Sequence, residues 1–237
     1  MTDKRDLLIL GGGLVGTTLA LAAAKQGHSS HLVDRAEPAD LTAEGFDGRA
    51  SAISTASWRL FRNIGLSETL EPHGCPIEAI AVVDQMKPGQ IDFRPEPHEG
   101  SLGRMFSNRQ LRIALYDAAK NEPLISMHAP VEVTKRHRDA FGVSATLADG
   151  TVLEADLLIG AEGRGSPTRE EAELKMASWD YSHRAIITGL NHSKPHDGVA
   201  WEIFYQDGPF ALLPMLDGPD GEHRSALVWT VDERDAA

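Results

Sequence analysis

Three glycines and an aspartate carry the spacing in this chain best suited to binding chemistry. Gly11, Gly13 and Gly16 stand in the run Leu7-Leu8-Ile9-Leu10-Gly11-Gly12-Gly13-Leu14-Val15-Gly16, and Asp34 ends the run His31-Leu32-Val33-Asp34-Arg35. Gly11 permits a tight turn out of an apolar strand. Gly13, with no side chain, lets backbone approach a pyrophosphate. Gly16 lets the following helix pack closely on the sheet. The helix N-terminus offers N–H groups and a partial positive charge to phosphates. Asp34 arrives about 20 residues on, where a carboxylate accepts ribose hydroxyls. The chemistry so spaced is dinucleotide binding. A glycine triplet alone is weak support, but the strand before it, the helix after it and the acid beyond all agree.

The same run has a rival reading. Leu7 to Ala24 carries no charge and follows Lys4 and Arg5, and Leu19–Ala24 looks like a signal-peptide cleavage region. A membrane span needs roughly 20 predominantly apolar residues. The glycines here fall on the fingerprint positions, and Asp34 fits the end of the next strand. The dinucleotide reading therefore takes precedence over secretion or membrane insertion.

Composition narrows the remaining classes. With 23 Lys+Arg against 35 Asp+Glu in 237 residues, the net charge is −12, which argues against nonspecific nucleic-acid binding. Cys75 is the only cysteine, so no disulfide framework or thiolate metal cluster is expected. The ten histidines are scattered and suggest no zinc site; no metal is expected. A cytoplasmic location is the default.

Positioning these residues requires a particular series of elements. The pattern predicts a strand at 6–10, a helix at 14–26 ended by Gly27, and a strand at 31–34. A polar loop (37–49) and a short helix (55–63) follow. Pro72-His73-Gly74-Cys75-Pro76 reads as a boundary. Residues 77–83 and 91–93 read as strands, 94–103 as loop. A helix at 108–120 would bury Leu111, Leu115 and Ala118, with Asn108 as N-cap. Strands are expected at 124–127, 131–135, 141–147, 151–153 and 156–160. Ser166-Pro167 opens a short helix. Strands are then expected at 185–190, 199–205, 210–214 and 226–231. The nucleotide-binding elements thus come in two pieces, 1–75 and 108–178. Sheet-rich stretches, 76–107 and 179–237, are interleaved with them.

Four segments carry a family resemblance. They are the glycine run ending in Asp34-Arg35, Asp47-Gly48-Arg49-Ala50-Ser51-Ala52-Ile53-Ser54, Asn108-Arg109-Gln110-Leu111, and Asp156-Leu157-Leu158-Ile159-Gly160-Ala161-Glu162-Gly163-Arg164-Gly165-Ser166-Pro167-Thr168-Arg169. Together they resemble the class A FAD-dependent aromatic hydroxylases, the group that includes para-hydroxybenzoate hydroxylase. The segments Gly48–Ser54 and Gly208-Pro209-Phe210-Ala211-Leu212-Leu213-Pro214-Met215 look most like the ubiquinone-biosynthesis members, which act on polyprenylated phenols. The resemblance implies an α/β fold, with a Rossmann-like FAD-binding domain of the GR2 type interleaved with a β-sheet-rich substrate domain.

The resemblance also implies roles. Gly11, Gly13 and Gly16 would cradle the FAD pyrophosphate. Asp34 would bind the adenosine ribose, Arg35 would lie beside the adenine, and Val131 would bring backbone there. Arg49 would approach the flavin end. Arg109 would face phosphate or ribityl oxygens from its helix start. Glu162 stands where the family has aspartate; the extra methylene moves the carboxylate by about 1.5 Å. In the family this motif touches FAD and is linked to NAD(P)H use, whereas a bland alternative makes Glu162 a helix-start acid favoured by the dipole. A third family motif, Gly-Asp followed by Ala-Ala-His, has no counterpart in this chain. The expectation is an N-terminal portion of such an enzyme, truncated at the C-terminus.

The implied reaction is hydroxylation of a phenolic ring with NAD(P)H and O₂, the chemistry residing in the flavin. No catalytic residue can be assigned. Trp201, Phe204, Tyr205, Phe210 and Met215 either line an apolar substrate pocket or form sheet core. His183, His192 and His196 read as structural or solvated. A polyprenylated phenol would bring peripheral membrane contact without a transmembrane segment. Two alternatives stay open: a non-catalytic flavoprotein fragment acting as an interaction module, and another FAD oxidoreductase sharing the first motif. The Arg49 segment and the Glu162-Gly163 turn weigh against the latter.

Overall fold

The computed structural model describes residues 3–43, 49–85, 87–98, 100–234 and 236. The chain opens with β1 (Arg5–Leu10), α1 (Leu14–Lys25), β2 (Ser30–Val33) and α2 (Pro38–Thr42). Then come β3 (Ala50–Ser54), α3 (Thr55–Asn63), α4 (Ser67–Leu70), β4 (Cys75–Ile77), β5 (Ala79–Asp84), β6 (Gln90–Phe93) and β7 (Gly103–Ser107). Next are α5 (Asn108–Lys120), β8 (Ile125–His128), β9 (Val133–Asp139), β10 (Gly142–Leu147), β11 (Val152–Gly160) and α6 (Pro167–Glu171). The last strands are β12 (His183–His192), β13 (Val199–Tyr205), β14 (Gly208–Met215) and β15 (His223–Asp232).

Two compact units result, residues 1–44 with 111–177 and residues 45–110 with 178–237. The sequence pattern grouped 45–75 with the first piece. Hydrogen bonding groups it with the second, because β3 pairs with β7 and β7 with β4. Residues 44–48, which include Asp47 and Gly48 of the second family segment, lie outside the described residues.

The first unit is a six-stranded sheet in the order β8-β2-β1-β11-β10-β9. β8, β2, β1 and β11 run parallel, the signature of strands joined by crossover helices. The uncharged run Leu7–Ala24 is thus divided between a core strand and a helix that buries Gly16, Thr17, Ala20, Leu21 and Ala24. Among the described residues no helix is long and apolar enough to cross a membrane. The strands expected at 151–153 and 156–160 are one strand, β11. Its first half pairs antiparallel with β10, while β1 runs parallel alongside it from Ala155 onward. Leu8, Leu10, Val33, Ala145, Leu147, Leu153 and Ala155 pack together beneath it.

The second unit holds a six-stranded sheet, β12-β15-β14-β13-β5-β6, and a three-stranded one, β3-β7-β4. The single strand expected at 77–83 is divided in two: β4 belongs to the small sheet and β5 to the large one. Glu78 makes the break, its N–H donating to the Gly198 carbonyl at 2.8 Å. Helix α3 has the predicted bounds, and Ser54 caps it by accepting the Ser57 N–H. β7 begins at Gly103, the last residue of the stretch read as loop, and runs through residues given no element from sequence. Helix α5 also has the predicted bounds, but its buried face holds Ala114 and Ala119 besides Leu111 and Leu115, in place of Ala118.

Candidate functional site: the glycine turn of the first unit

β1 ends at Leu10, and the chain must turn at once to start α1. Gly11 makes that turn at φ +109°, a region hostile to side chains. A Cβ there would sit 2.4 Å from the Ala161 carbonyl oxygen. The turn is pinned on both sides. Gly11 N–H donates to the Val33 carbonyl at 2.8 Å, and Ala161 N–H donates to the Leu10 carbonyl at 2.6 Å. Gly16 packs so tightly that a Cβ would land 1.8 Å from the Gly11 carbonyl oxygen. Gly13 is different: a Cβ there would meet nothing within 4 Å. Gly13 also caps α1 with no side-chain hydrogen bond, and the first turn has no acidic residue. The positive end of the helix therefore faces open space, as an anion site requires.

Asp34 lies across this turn. Its Oδ2 accepts the Gly12 N–H at 2.5 Å and its Oδ1 accepts the Ala36 N–H at 2.7 Å. Those two bonds fix the carboxylate, and each oxygen keeps a lone pair for a ribose hydroxyl. The Asp34 carbonyl accepts the Val131 N–H at 2.9 Å, which places Val131 beside the same strand end. Arg35 is exposed at that end. A cavity joins Gly12, Gly13 and Asp34 to an apolar wall of Leu32, Leu115, Met127 and Ala129. Arg112 and Tyr116 also line it. Sequence reasoning missed both, although their four-residue spacing puts them on one helical face, one turn beyond Arg109. These residues fit a pyrophosphate flanked by an adenosine: an N-terminal helix dipole and an arginine for the charge, an acid for the ribose, apolar side chains for the base.

Arg49 and Arg109 belong to the second unit. Asn108 N–H donates to the Arg49 carbonyl at 3.1 Å, so the two arginines flank one corner there. The Ser51 hydroxyl donates to Asn108 Oδ1 at 2.6 Å and steadies that corner.

Glu162 is held by its own protein. Oε1 accepts from Arg136 Nη2 at 2.9 Å; Oε2 accepts the Ser166 hydroxyl at 2.5 Å and the Thr168 N–H at 3.1 Å. The Glu162 and Arg136 side chains are only 15% and 11% exposed. Burial pushes the carboxyl pKa up, but hydrogen bonds from Ser166, Thr168 and Arg136 outweigh it and hold it below the ordinary value. Glu162 thus anchors the start of α6.

The aromatic candidates do not share one face. Residues opposite each other across a ladder point the same way, and neighbours along a strand point opposite ways. Trp201 faces Leu212, Ile203 faces Phe210, and Phe210 faces Trp229, so Trp201, Tyr205, Phe210 and Trp229 lie on one side of the large sheet. Phe204 and Met215 lie on the other, and Met215 packs against Cys75, Ile77, Met105, Ala200 and Ala226. The histidines are tied to backbone. His196 bonds the Met215 carbonyl and the Gly198 N–H, His192 bonds the Lys194 carbonyl and Ser225, and His183 bonds the Tyr181 carbonyl. Among the described residues no group of His, Cys, Asp and Glu is arranged to hold a metal ion.

A protein family described as an FAD binding domain matches residues 4–236. The chain belongs to that family. It is 42% identical over 225 residues to the ubiquinone hydroxylase UbiL of Rhodospirillum rubrum, covering 95% of this chain and 51% of that protein. It is 30% identical over 232 residues to the 3-demethoxyubiquinol 3-hydroxylase of Escherichia coli, covering 97% of this chain and 58% of that one. The FAD-binding chain therefore spans about half the length of the curated relatives it matches. Its fold is that of pqsL, a probable FAD-dependent monooxygenase from Pseudomonas aeruginosa, with a TM-score of 0.80 at 20% identity over 99% of this chain and 62% of that chain. The flavin-dependent monooxygenase PieE, solved with FAD and substrate, superposes with a TM-score of 0.72 at 18% identity over 98% of this chain and 43% of that chain.

Proposed function

We propose that this chain forms the FAD-binding and substrate-facing part of a flavin-dependent hydroxylase acting on a phenolic ring in ubiquinone biosynthesis. The observation that carries the reading is the 42% identity to a ubiquinone hydroxylase across nearly the whole chain, combined with a glycine turn open at Gly13. When bound, FAD would supply oxidation of NAD(P)H and activation of O₂ for transfer of one oxygen to an electron-rich ring.

The chain's own residues would do the rest. Gly11, Gly13 and Gly16 bring backbone against the pyrophosphate, and the N-terminus of α1 neutralises it. Asp34 holds the ribose; Arg35 and the Val131 backbone border the adenine. Arg112 adds a cation beside the phosphates, and Arg49 and Arg109 face the flavin half of the cofactor. Glu162 acts by holding the turn after β11. In functional terms, 1–75 with 108–178 bind the cofactor, and 76–107 with 179–237 face the substrate. A polyprenylated phenol fits the apolar side of the large sheet that carries Trp201, Phe210 and Trp229, and draws the protein to a membrane surface without spanning it.

The test is a visible absorption spectrum of the purified chain, with and without added FAD, after gel filtration. Flavin bands near-stoichiometric with protein are expected, followed by NAD(P)H oxidation that a phenol stimulates. Colourless protein that holds no added FAD overturns the reading for this chain and favours the non-catalytic alternative.

A further inference from the structure

Thr55, Arg59 and Arg62 recur at helical spacing along α3, so they share one face of it. That face borders a cleft of about 600 Å³ lying wholly within the second unit. Trp58 of α3, Arg104 of β7, His98 and Ser101 line it too. The chain has a net charge of −12, yet here three arginines and a histidine face two carboxylates, Glu71 and Glu78. Arg104 is set in place by its own neighbours. Its Nη2 donates to Glu71 Oε1 at 2.9 Å, and its guanidinium carbon stands 5.2 Å from the centre of the Trp58 ring. Its side chain is only 19% exposed. Trp58 in turn stacks on Phe106, with ring centres 5.8 Å apart. Glu71 takes one N–H of the Arg104 fork, which leaves others for an acceptor. A guanidinium held this way loses little freedom when it binds an anion.

The cleft has the size of a site for an organic ligand, about 300–1,000 Å³, and a lone phosphate would leave most of it empty. Its wall is mainly polar, which does not suit the long apolar tail of a polyprenylated phenol. Arginines beside an indole suit a phosphate joined to a planar ring. A phosphate monoester on the adenosine ribose is also the group that separates NADPH from NADH, and arginine is the residue that accommodates it. We propose that this cleft binds the 2′-phosphoadenosine end of NADPH, with Arg62 and Arg104 toward the phosphate and Trp58 toward the adenine. The assignment to the reductant rests on the function proposed above. The cleft itself shares no lining residue with the cavity at Gly13 and Asp34.

The probe is 2′,5′-ADP, which carries that end of NADPH and no redox chemistry. Titrated into the whole chain, it should move the NMR amide signals of Arg62, Ser101 and Arg104 saturably and leave those of Gly12 and Gly13 in place. 5′-AMP and inorganic phosphate should each bind at least about tenfold more weakly, equivalent to about 1.4 kcal/mol. Arg62→Glu reverses a charge at an exposed position. It should keep the parent's urea midpoint and weaken 2′,5′-ADP by about tenfold or more. No saturable change at the cleft, changes confined to Gly12 and Gly13, or affinity that survives R62E overturns the proposal. So does 5′-AMP or phosphate binding as tightly as 2′,5′-ADP. FAD retention on gel filtration is read on the same samples, so the two readings fail separately. A chain that keeps FAD while its cleft ignores 2′,5′-ADP overturns the cleft alone. A colourless chain whose cleft binds 2′,5′-ADP supports the cleft and overturns the flavin reading.

Discussion

Alanine at Gly16 and alanine at Gly13 should have opposite consequences, although the two positions are three residues apart. In the interior of an ordinary helix, Gly→Ala stabilises by about 0.5–1 kcal/mol, because glycine loses more backbone entropy on folding. Gly16 sits inside α1, so propensity alone predicts a gain. The structure reverses the sign. The new Cβ would lie 1.8 Å from the Gly11 carbonyl oxygen and 3.2 Å from the Ala161 Cβ. The first contact is with backbone, so no side-chain rotation relieves it. Either α1 moves off the sheet or the turn at Gly11 opens, and that turn is pinned by Gly11 N–H to Val33 and Ala161 N–H to Leu10. Overpacking of this kind costs about 1–3 kcal/mol or more. The net expectation for Gly16→Ala is a loss of about 1–2 kcal/mol, read as a lower urea midpoint by far-UV circular dichroism with an unchanged slope. Gly13→Ala places its Cβ in open space at φ −71°. It should hold stability within about 0.5 kcal/mol, yet lose FAD on gel filtration, because the methyl group stands where backbone must meet the pyrophosphate. A Gly16→Ala chain as stable as the parent, or a Gly13→Ala chain that retains flavin as the parent does, would refute the reasoning.

Arg136→Met leaves Glu162 buried with Ser166 and Thr168 as its remaining donors; it should cost about 2–3 kcal/mol in urea unfolding and raise the Glu162 pKa, visible by carboxyl NMR titration. In the parent, Glu162 contributes stability that is complete above its unfolded value near 4.5 and is lost as pH falls through its lower folded value. Burial pushes His31 and His128 below the ordinary 6.5, and their rings meet with Nδ1 and Nε2 at 3.1 Å. Their stabilising effect should be complete above about pH 6.5 and decline as pH falls below it, and His128→Gln should flatten that slope in urea midpoints measured across the decline. Cys75 is buried, and burial, with Asp217 and Glu78 nearby, pushes its thiol up to about 11. It should therefore resist thiol reagents at neutral pH in the folded chain and react promptly in urea.

Helices were legible in this chain where local signals suffice. Ser166 announces α6 through cap chemistry that acts within one turn, whereas Asn108, expected to cap α5, is its first residue, and the Ser107 hydroxyl accepts the Gln110 N–H instead. Strand divisions depend on distant partners and were not legible. Residues 77–83 read as one strand, yet Glu78 is claimed by Gly198 far along the chain, and two sheets share the segment. β11 is the converse case. Residues 151–153 and 156–160 read as two strands, but β10 pairs as far as Ala155 and β1 takes over from Ala155 onward, so the backbone continues as one. At Pro72–Pro76 the chain stays within one compact unit, since Cys75-Pro76-Ile77 pairs with Gly103–Met105.

The site divides along the same line. Gly11, Gly13, Gly16 and Asp34 were legible as candidates because the βαβ turn itself fixes the backbone and the short side chain there. Arg112 and Tyr116 were not, because what brings them to the cavity is the packing of α5, and nothing local distinguishes Arg112 from its neighbours Arg109 and Gln110. Glu162 shows a further limit. Its place in a family motif suggested contact with cofactor; within the protein its three donors come from β9, from the loop before α6 and from α6 itself. Two of those donors, Ser166 and Thr168, lie within six residues and were available to the sequence reading as a helix-start pattern. The third, Arg136, lies 26 residues upstream and makes the difference between an exposed capping acid and a buried ion pair. With donors from β9, from the loop before α6 and from α6, one buried carboxylate ties three segments of the first unit together.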